Sequence, residues 1–179
     1  HKTIDPSVTS SISFDLDLMN EGTASIDAGL IVTPVQIIRE NGILDAPDDE
    51  WSRTLSESGP WTLPEGGASG STRTISLSLV DEDADFNDPY GAIFTLPGTY
   101  IVDLTMYDRN APLVSYTLRL TVEVERVEGL DTVLAGDQGL AGKPGDTVGY
   151  TITVRNSGNG PTIYTVSCEN DLRWPIELG

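Results

Sequence analysis

The residues best placed by type and spacing to do chemistry are the acids of DEDADFND, residues 81–88. Asp81, Asp83, Asp85 and Asn87 stand at alternate positions, and Asp88 follows directly. Short oxygen side chains two residues apart are how a loop wraps hard ligands around Ca²⁺. The match to such a loop is partial. It lacks a Gly for the sharp central turn, and Ala92 stands where a bidentate Glu would close it. Ca²⁺ is thus the one cofactor the sequence suggests, with Asp81, Asp83, Asp85, Asn87 and Asp88 as its ligands. The plainer reading is a solvated acidic loop in an acidic protein.

Other reactive constellations are excluded by inventory. The single His is His1, at the terminus, so no Ser-His-Asp or Cys-His pair can assemble inside a fold. One Cys and one terminal His cannot build a Cys/His zinc site. Cys168 is alone, in phase with apolar neighbours, and is expected to act as a small buried hydrophobe rather than a reactive thiol. No phosphate-cradling Gly loop and no Asn-x-Ser/Thr acceptor occurs. With 28 acidic against 10 basic residues and a net charge of −18, the chain offers no basic face for nucleic acid or anionic lipid. Trp51 and Trp61 form the only plausible sugar-stacking pair, and the alternative is that they cover a sheet edge. No enzyme is expected.

The elements that must position these residues are betrayed by a repeat. SISFDLDLMNEGTASIDAGLIV (11–32) lies over TVGYTITVRNSGNGPTIYTVSC (147–168) without a gap, at a constant offset of 136 residues. Ile12, Phe14, Leu16 and Leu18 fall on Val148, Tyr150, Ile152 and Val154; Asn20 and Gly22 fall on Asn156 and Gly158. Apolar residues at every second position mark a strand with one buried face, and Asn-x-Gly suits a chain reversal. Residues 24–33 are expected to pair with the first strand after that turn. Two such copies at domain-sized spacing mean tandem β modules.

Further alternating stretches lie at 74–80, 99–107 and 114–125, and a short edge strand is expected within 1–9. No apolar 3.6 period runs for three turns, so helix should be nearly absent. No apolar run approaches the roughly 20 residues that cross a bilayer. The predicted inward set is Phe14, Leu16, Leu18, Leu30, Leu77, Tyr100, Val102, Leu104, Leu118, Leu120 and Val122, with Asp15, Asp17, Arg119 and Glu123 facing water. LPGTY (96–100) has the form of a tyrosine corner, in which a Tyr hydroxyl at the start of a strand bonds to backbone upstream. About seven short strands with turns between them indicate a β-sandwich.

The expected organisation is all-β, with tandem immunoglobulin-like sandwiches. One module spans 1–127, and 128–179 is the N-terminal part of a second, incomplete one. Trp174 lies 16 residues past Gly158, whereas Trp61 lies 39 past Gly22, a difference of 23 residues. An insertion is therefore expected near 34–56, carrying an Asn41-Gly42 hairpin. Half a sandwich cannot bury its inner face, so the second module should draw strands from a continuing chain or a neighbouring subunit.

GKPGDTVGYTITVRNSGNGPTIYTV (142–166) resembles the opening of immunoglobulin-like modules of prokaryotic surface and secreted proteins, of the CARDB and NPCBM-associated types. The resemblance covers this opening and leaves DAPDDEWSRTLSESGPW without a counterpart. It implies an extracellular or cell-surface, non-catalytic segment of a larger protein: a stalk, surface layer or filament with structural or adhesive work. Its partners would be neighbouring modules of the same chain or adjacent subunits. The alternative is an accessory carbohydrate-binding module of a secreted hydrolase.

Overall fold

Alternation of apolar and polar residues makes strands here because each strand lies on a sheet with one face covered and one wet. The computed structural model describes residues 1–38, 51–88, 92–135, 142–143, 145–169 and 175, and every structural statement concerns these. They contain β1 (Lys2–Ile4), β2 (Ser11–Met19), β3 (Ile26–Val32), β4 (Gln36–Ile38), β5 (Trp51–Leu55), β6 (Trp61–Leu63), β7 (Thr72–Asp81), β8 (Gly98–Asp108), β9 (Ala111–Val124), β10 (Leu130–Ala135) and β11 (Thr151–Asn156), with no helix among them. The Asn41-Gly42 hairpin and the Trp174 segment lie outside the described residues.

Module one is an immunoglobulin-like sandwich. One sheet has the order β2-β7-β5 and the other β1-β9-β8-β3-β6, with β4 also on β8. In immunoglobulin lettering these are B-E-D facing G-F-C. β1 runs parallel to the end of β9, with Lys2 opposite Val122 and Ile4 opposite Val124. β3 and β4 follow one another along β8. They are separated at Thr33-Pro34, where proline has no N–H to give the ladder. Thr33 compensates from both sides: its N–H donates to Asp103 O, and its Oγ1 accepts from Asp103 N, each at 2.9 Å.

The two inner faces meet as expected. Phe14, Leu16 and Leu18 of β2 and Ile75, Leu77 and Leu79 of β7 pack against Tyr100, Val102 and Leu104 of β8 and Leu120 and Val122 of β9, all in one buried cluster. Asp15, Asp17 and Arg119 face water, and Glu123 is half-buried. Tyr100 OH donates to Leu96 O at 2.9 Å, forming the tyrosine corner.

Three expectations are corrected. Leu118 has the inward phase yet is 41% exposed, because the β8–β9 hairpin runs past the opposing sheet; Leu30 is only partly buried. β3 does not pair with β2. It pairs with β6 and β8, so the Asn20-Gly22 turn carries the chain from one sheet to the other. In module two, 161–169 forms no strand and Cys168 is exposed. β3 owes its strand to the β8 ladder, and no described segment plays β8 for residues 161–169.

Module two consists, among the described residues, of the antiparallel pair β10–β11. Leu130, Ile152 and Val154 share one face of the pair and are all exposed. This is the bare apolar face expected of a sandwich that lacks its second sheet.

Candidate functional site

The repeated Asn-x-Gly turn has the same internal bonding in both modules. Asn20 Oδ1 accepts from Gly22 N at 2.9 Å while Asn20 Nδ2 donates to Ala24 O at 2.8 Å. Asn156 Oδ1 accepts from Gly158 N at 3.0 Å while Asn156 Nδ2 donates to Gly160 O at 2.8 Å. A short amide that folds onto its own backbone is what selects Asn at such a turn. The surroundings differ. Asn20 is buried and also donates to Leu63 O and Pro64 O, at 3.2 and 2.7 Å, which ties the turn to β6. Asn156 is exposed.

The second turn is used instead to join the modules. Asn159, only 3% exposed, saturates its side-chain amide on the end of module one. Its Nδ2 donates to Thr95 O at 2.9 Å and to Glu125 O at 2.8 Å, and its Oδ1 accepts from Val127 N at 2.7 Å. Its own N–H donates to Val127 O at 3.1 Å. Arg126 then reaches forward, its Nη2 donating to Pro161 O at 2.6 Å. Tyr164 OH donates to Gly129 O. A Cβ on Gly158 would collide with Val127 O and crowd Gly129 N, so the turn lies flat against the linker because the residue is Gly. A Cβ on Gly160 would lie 3.3 Å from the Pro97 ring. This junction escaped the sequence reading. The one available signal is that Asn159 stands where the first copy has Thr23, a solvent-facing residue.

The acids at 81–88 are arranged differently from a cage. Asp81 ends β7 with its side chain at the buried rim of the core, and its Oδ1 accepts from Asp83 N at 3.1 Å. Asp85 Oδ1 accepts from Asn87 N at 2.8 Å, and Asp85 is bridged to Ile93. Asp83, Asp85 and Asn87 are exposed and Asp88 is half-buried. Among the described residues no three Asp, Glu, His or Cys side chains converge as metal ligands would. Trp51 and Trp61, the sugar-stacking candidates, are core residues at 3% and 5% exposure. Trp51 packs at a tilt on Tyr100, with ring centroids 5.1 Å apart, and neither indole offers a face to a sugar. Their aromatic area fills the gap between sheets that the sequence left open as an edge.

One charge pair ties neighbouring strands together. Arg119 on β9 grips Asp103 on β8 in a fork, Nε to Oδ1 and Nη2 to Oδ2, both 2.8 Å. The Arg119 hydrogen bond, opposed by partial burial, holds the Asp103 carboxyl below its ordinary range.

No family model matches the chain, and no curated protein sequence matches it. Among solved structures, the secreted serine protease VesC from Vibrio cholerae aligns at 14% identity and a TM-score of 0.42, covering 74% of this chain and 22% of that one. The ASH/PapD-like domain 7 of human CEP192 aligns at 19% identity and a TM-score of 0.38, covering 69% of this chain and 75% of that one. No helix among the described residues is long and apolar enough to cross a membrane.

Proposed function

We propose that this chain is a non-catalytic structural segment of a larger secreted or cell-surface protein, a spacer that holds successive immunoglobulin-like modules at a set angle. The observation that carries this reading is the junction. A buried Asn159 amide, with every side-chain donor and its acceptor paired to module one, fixes the turn of module two. A flexible tether needs no such bonding, whereas a stalk or filament that transmits position does. The net charge of −18 suits a solvated extracellular surface, and the resemblance of 142–166 to surface-protein modules points the same way. With both Trp rings in the core, nothing favours the carbohydrate-binding alternative.

Residual dipolar couplings on the whole chain test this by comparing the β10–β11 amides with those of module one. In the parent both sets should fit one alignment tensor. Asn159→Ala removes the partner of the Thr95 and Glu125 carbonyls and of the Val127 N–H, which water takes up once the turn lifts off the end of module one. It should scale down the β10–β11 couplings while leaving module one's thermal midpoint nearly unchanged. Gly158→Ala should do the same by collision. A parent whose two sets already fit different tensors would refute the rigid-spacer reading.

A further inference from the structure

We propose that the free edge of β2, together with Val114, Tyr116 and Leu118 of β9, is the seat of one more strand, antiparallel to β2 and supplied by polypeptide on the N-terminal side of His1. The repeat, rather than the position of the first residue, leads there, and the inference stands independently of the function proposed above.

The edge is real and has a defined phase. β2 pairs with β7 and with no other described strand. Ser10 O accepts from Asp81 N and Asn20 N donates to Ser71 O, so the even-numbered residues of β2 point their backbone groups at β7. The odd-numbered ones, Ser13, Asp15, Asp17 and Met19, therefore point theirs the other way. Ser13 O confirms this, because it accepts from the Lys2 ammonium instead of from a strand. Lys2 sits on β1 beside β9, so the unpaired edge borders the β9 side of the sandwich.

Module two shows what belongs on that edge. Its β11 is paired with β10, with Leu130 opposite Asn156 and Ala135 opposite Thr151. Ser157 N donates to Gly129 O, so the odd-numbered residues of β11 are the ones spent on β10. The 136-residue offset carries Thr151, Thr153 and Arg155 onto Asp15, Asp17 and Met19, the residues left open in module one. It carries the 6 residues of β10 onto positions lying wholly ahead of His1. In immunoglobulin lettering this is strand A, beside B, and β2-β7-β5 is B-E-D without it.

Exposure along β9 points to the same gap. The inward-phased row runs Val114 68%, Tyr116 69%, Leu118 41%, then Leu120 6%, Val122 1% and Val124 5%. The opposing sheet covers the second half and stops short of the first. A strand added to β2 would widen that sheet over β9. Its positions equivalent to Leu130 and Thr132 share a face with those of Leu16 and Leu18, which is the face turned to the core.

The test copies residues 130–136 directly ahead of His1 in the full chain and follows amide hydrogen exchange. The amides of Asp15, Asp17 and Met19 should exchange rapidly in the parent and at least ~10-fold more slowly in the extended protein. Methyl resonances of Val114 and Leu118 should shift with them. Val133→Pro within the copied segment removes an N–H directed at β2 and should abolish the protection. Unchanged exchange in the extended protein, or protection that survives the proline, overturns the proposal. Protection in the parent that grows with protein concentration would assign the edge to a second copy and overturn it equally.

Discussion

Asn20 and Asn156 are the same residue in the same turn, yet they should differ in what they contribute. Asn20→Ala removes buried bonds to Leu63 O and Pro64 O as well as the turn's own, and should cost about 2–3 kcal/mol in chemical denaturation. Asn156→Ala should cost under about 1 kcal/mol, since water can replace what an exposed amide gives up. Equal losses would mean that burial of the first turn is immaterial. Asp103 sets a pH dependence. Its carboxyl is held below the ordinary 3.8 by Arg119, so its contribution is present above that value and is lost as pH falls through the lower, folded-state value. Asp103→Asn should therefore flatten the stability profile below pH about 4 and leave it parallel to the parent above. At 81–88, the Asp81 and Asp85 carboxylates each already accept a backbone N–H, from Asp83 and Asn87, which competes with Ca²⁺ for their Oδ1 atoms. Calorimetry should find any dissociation constant no tighter than about millimolar, lost in Asp83→Ala/Asp85→Ala; micromolar affinity would require a site assembled in some other way.

At the scale of the element, β9 carries one face with two fates. Leu120→Ala should cost roughly 2–5 kcal/mol, because the cavity forms between the sheets. Leu118→Ala, two residues earlier on the same face, should cost under about 1 kcal/mol in the 1–179 chain. Urea melts of the two variants give the comparison, and similar midpoints would place the sandwich boundary elsewhere on the strand. The phase of β9 was legible in the sequence, since alternation fixes which side chains share a face. Its length of cover was not, because that depends on where the other sheet ends. The same holds for β3: its alternation is visible, but its partner is chosen by the sandwich crossing. A turn of Asn-x-Gly looks alike whether it closes a hairpin or carries the chain between sheets.

For the molecule as a whole, the described parts are an immunoglobulin-like sandwich, a bonded junction and the opening hairpin of a second module. The rigid spacer proposed above predicts a single alignment for both parts, and the coupling experiment on Asn159→Ala is its measure. The open edge of β2 and the bare face of β10–β11 are two aspects of one design, in which each module leaves apolar surface that adjoining polypeptide can cover. A large net charge of one sign keeps such surfaces from indiscriminate association, because the molecules repel one another before edges can meet.

Local pattern by itself determined the fold class, the two-module repeat, the tyrosine corner and the inward phase of the core residues on β2, β7, β8 and the second half of β9. Each is a matter of period or of a short motif, and short-range sterics decide both. Tertiary structure alone decided the rest. Trp51 and Trp61 could be judged core residues or ligand platforms only once two sheets stood on either side of them. The Asp81 and Asp85 carboxylates could be seen capping backbone rather than converging only when the loop had a shape. Asn159, invisible as one more polar residue after a turn, became the fastening between modules because residues 64, 34 and 32 positions earlier were folded back to meet its amide. Contacts at that separation depend on the whole path of the chain, which no local pattern encodes.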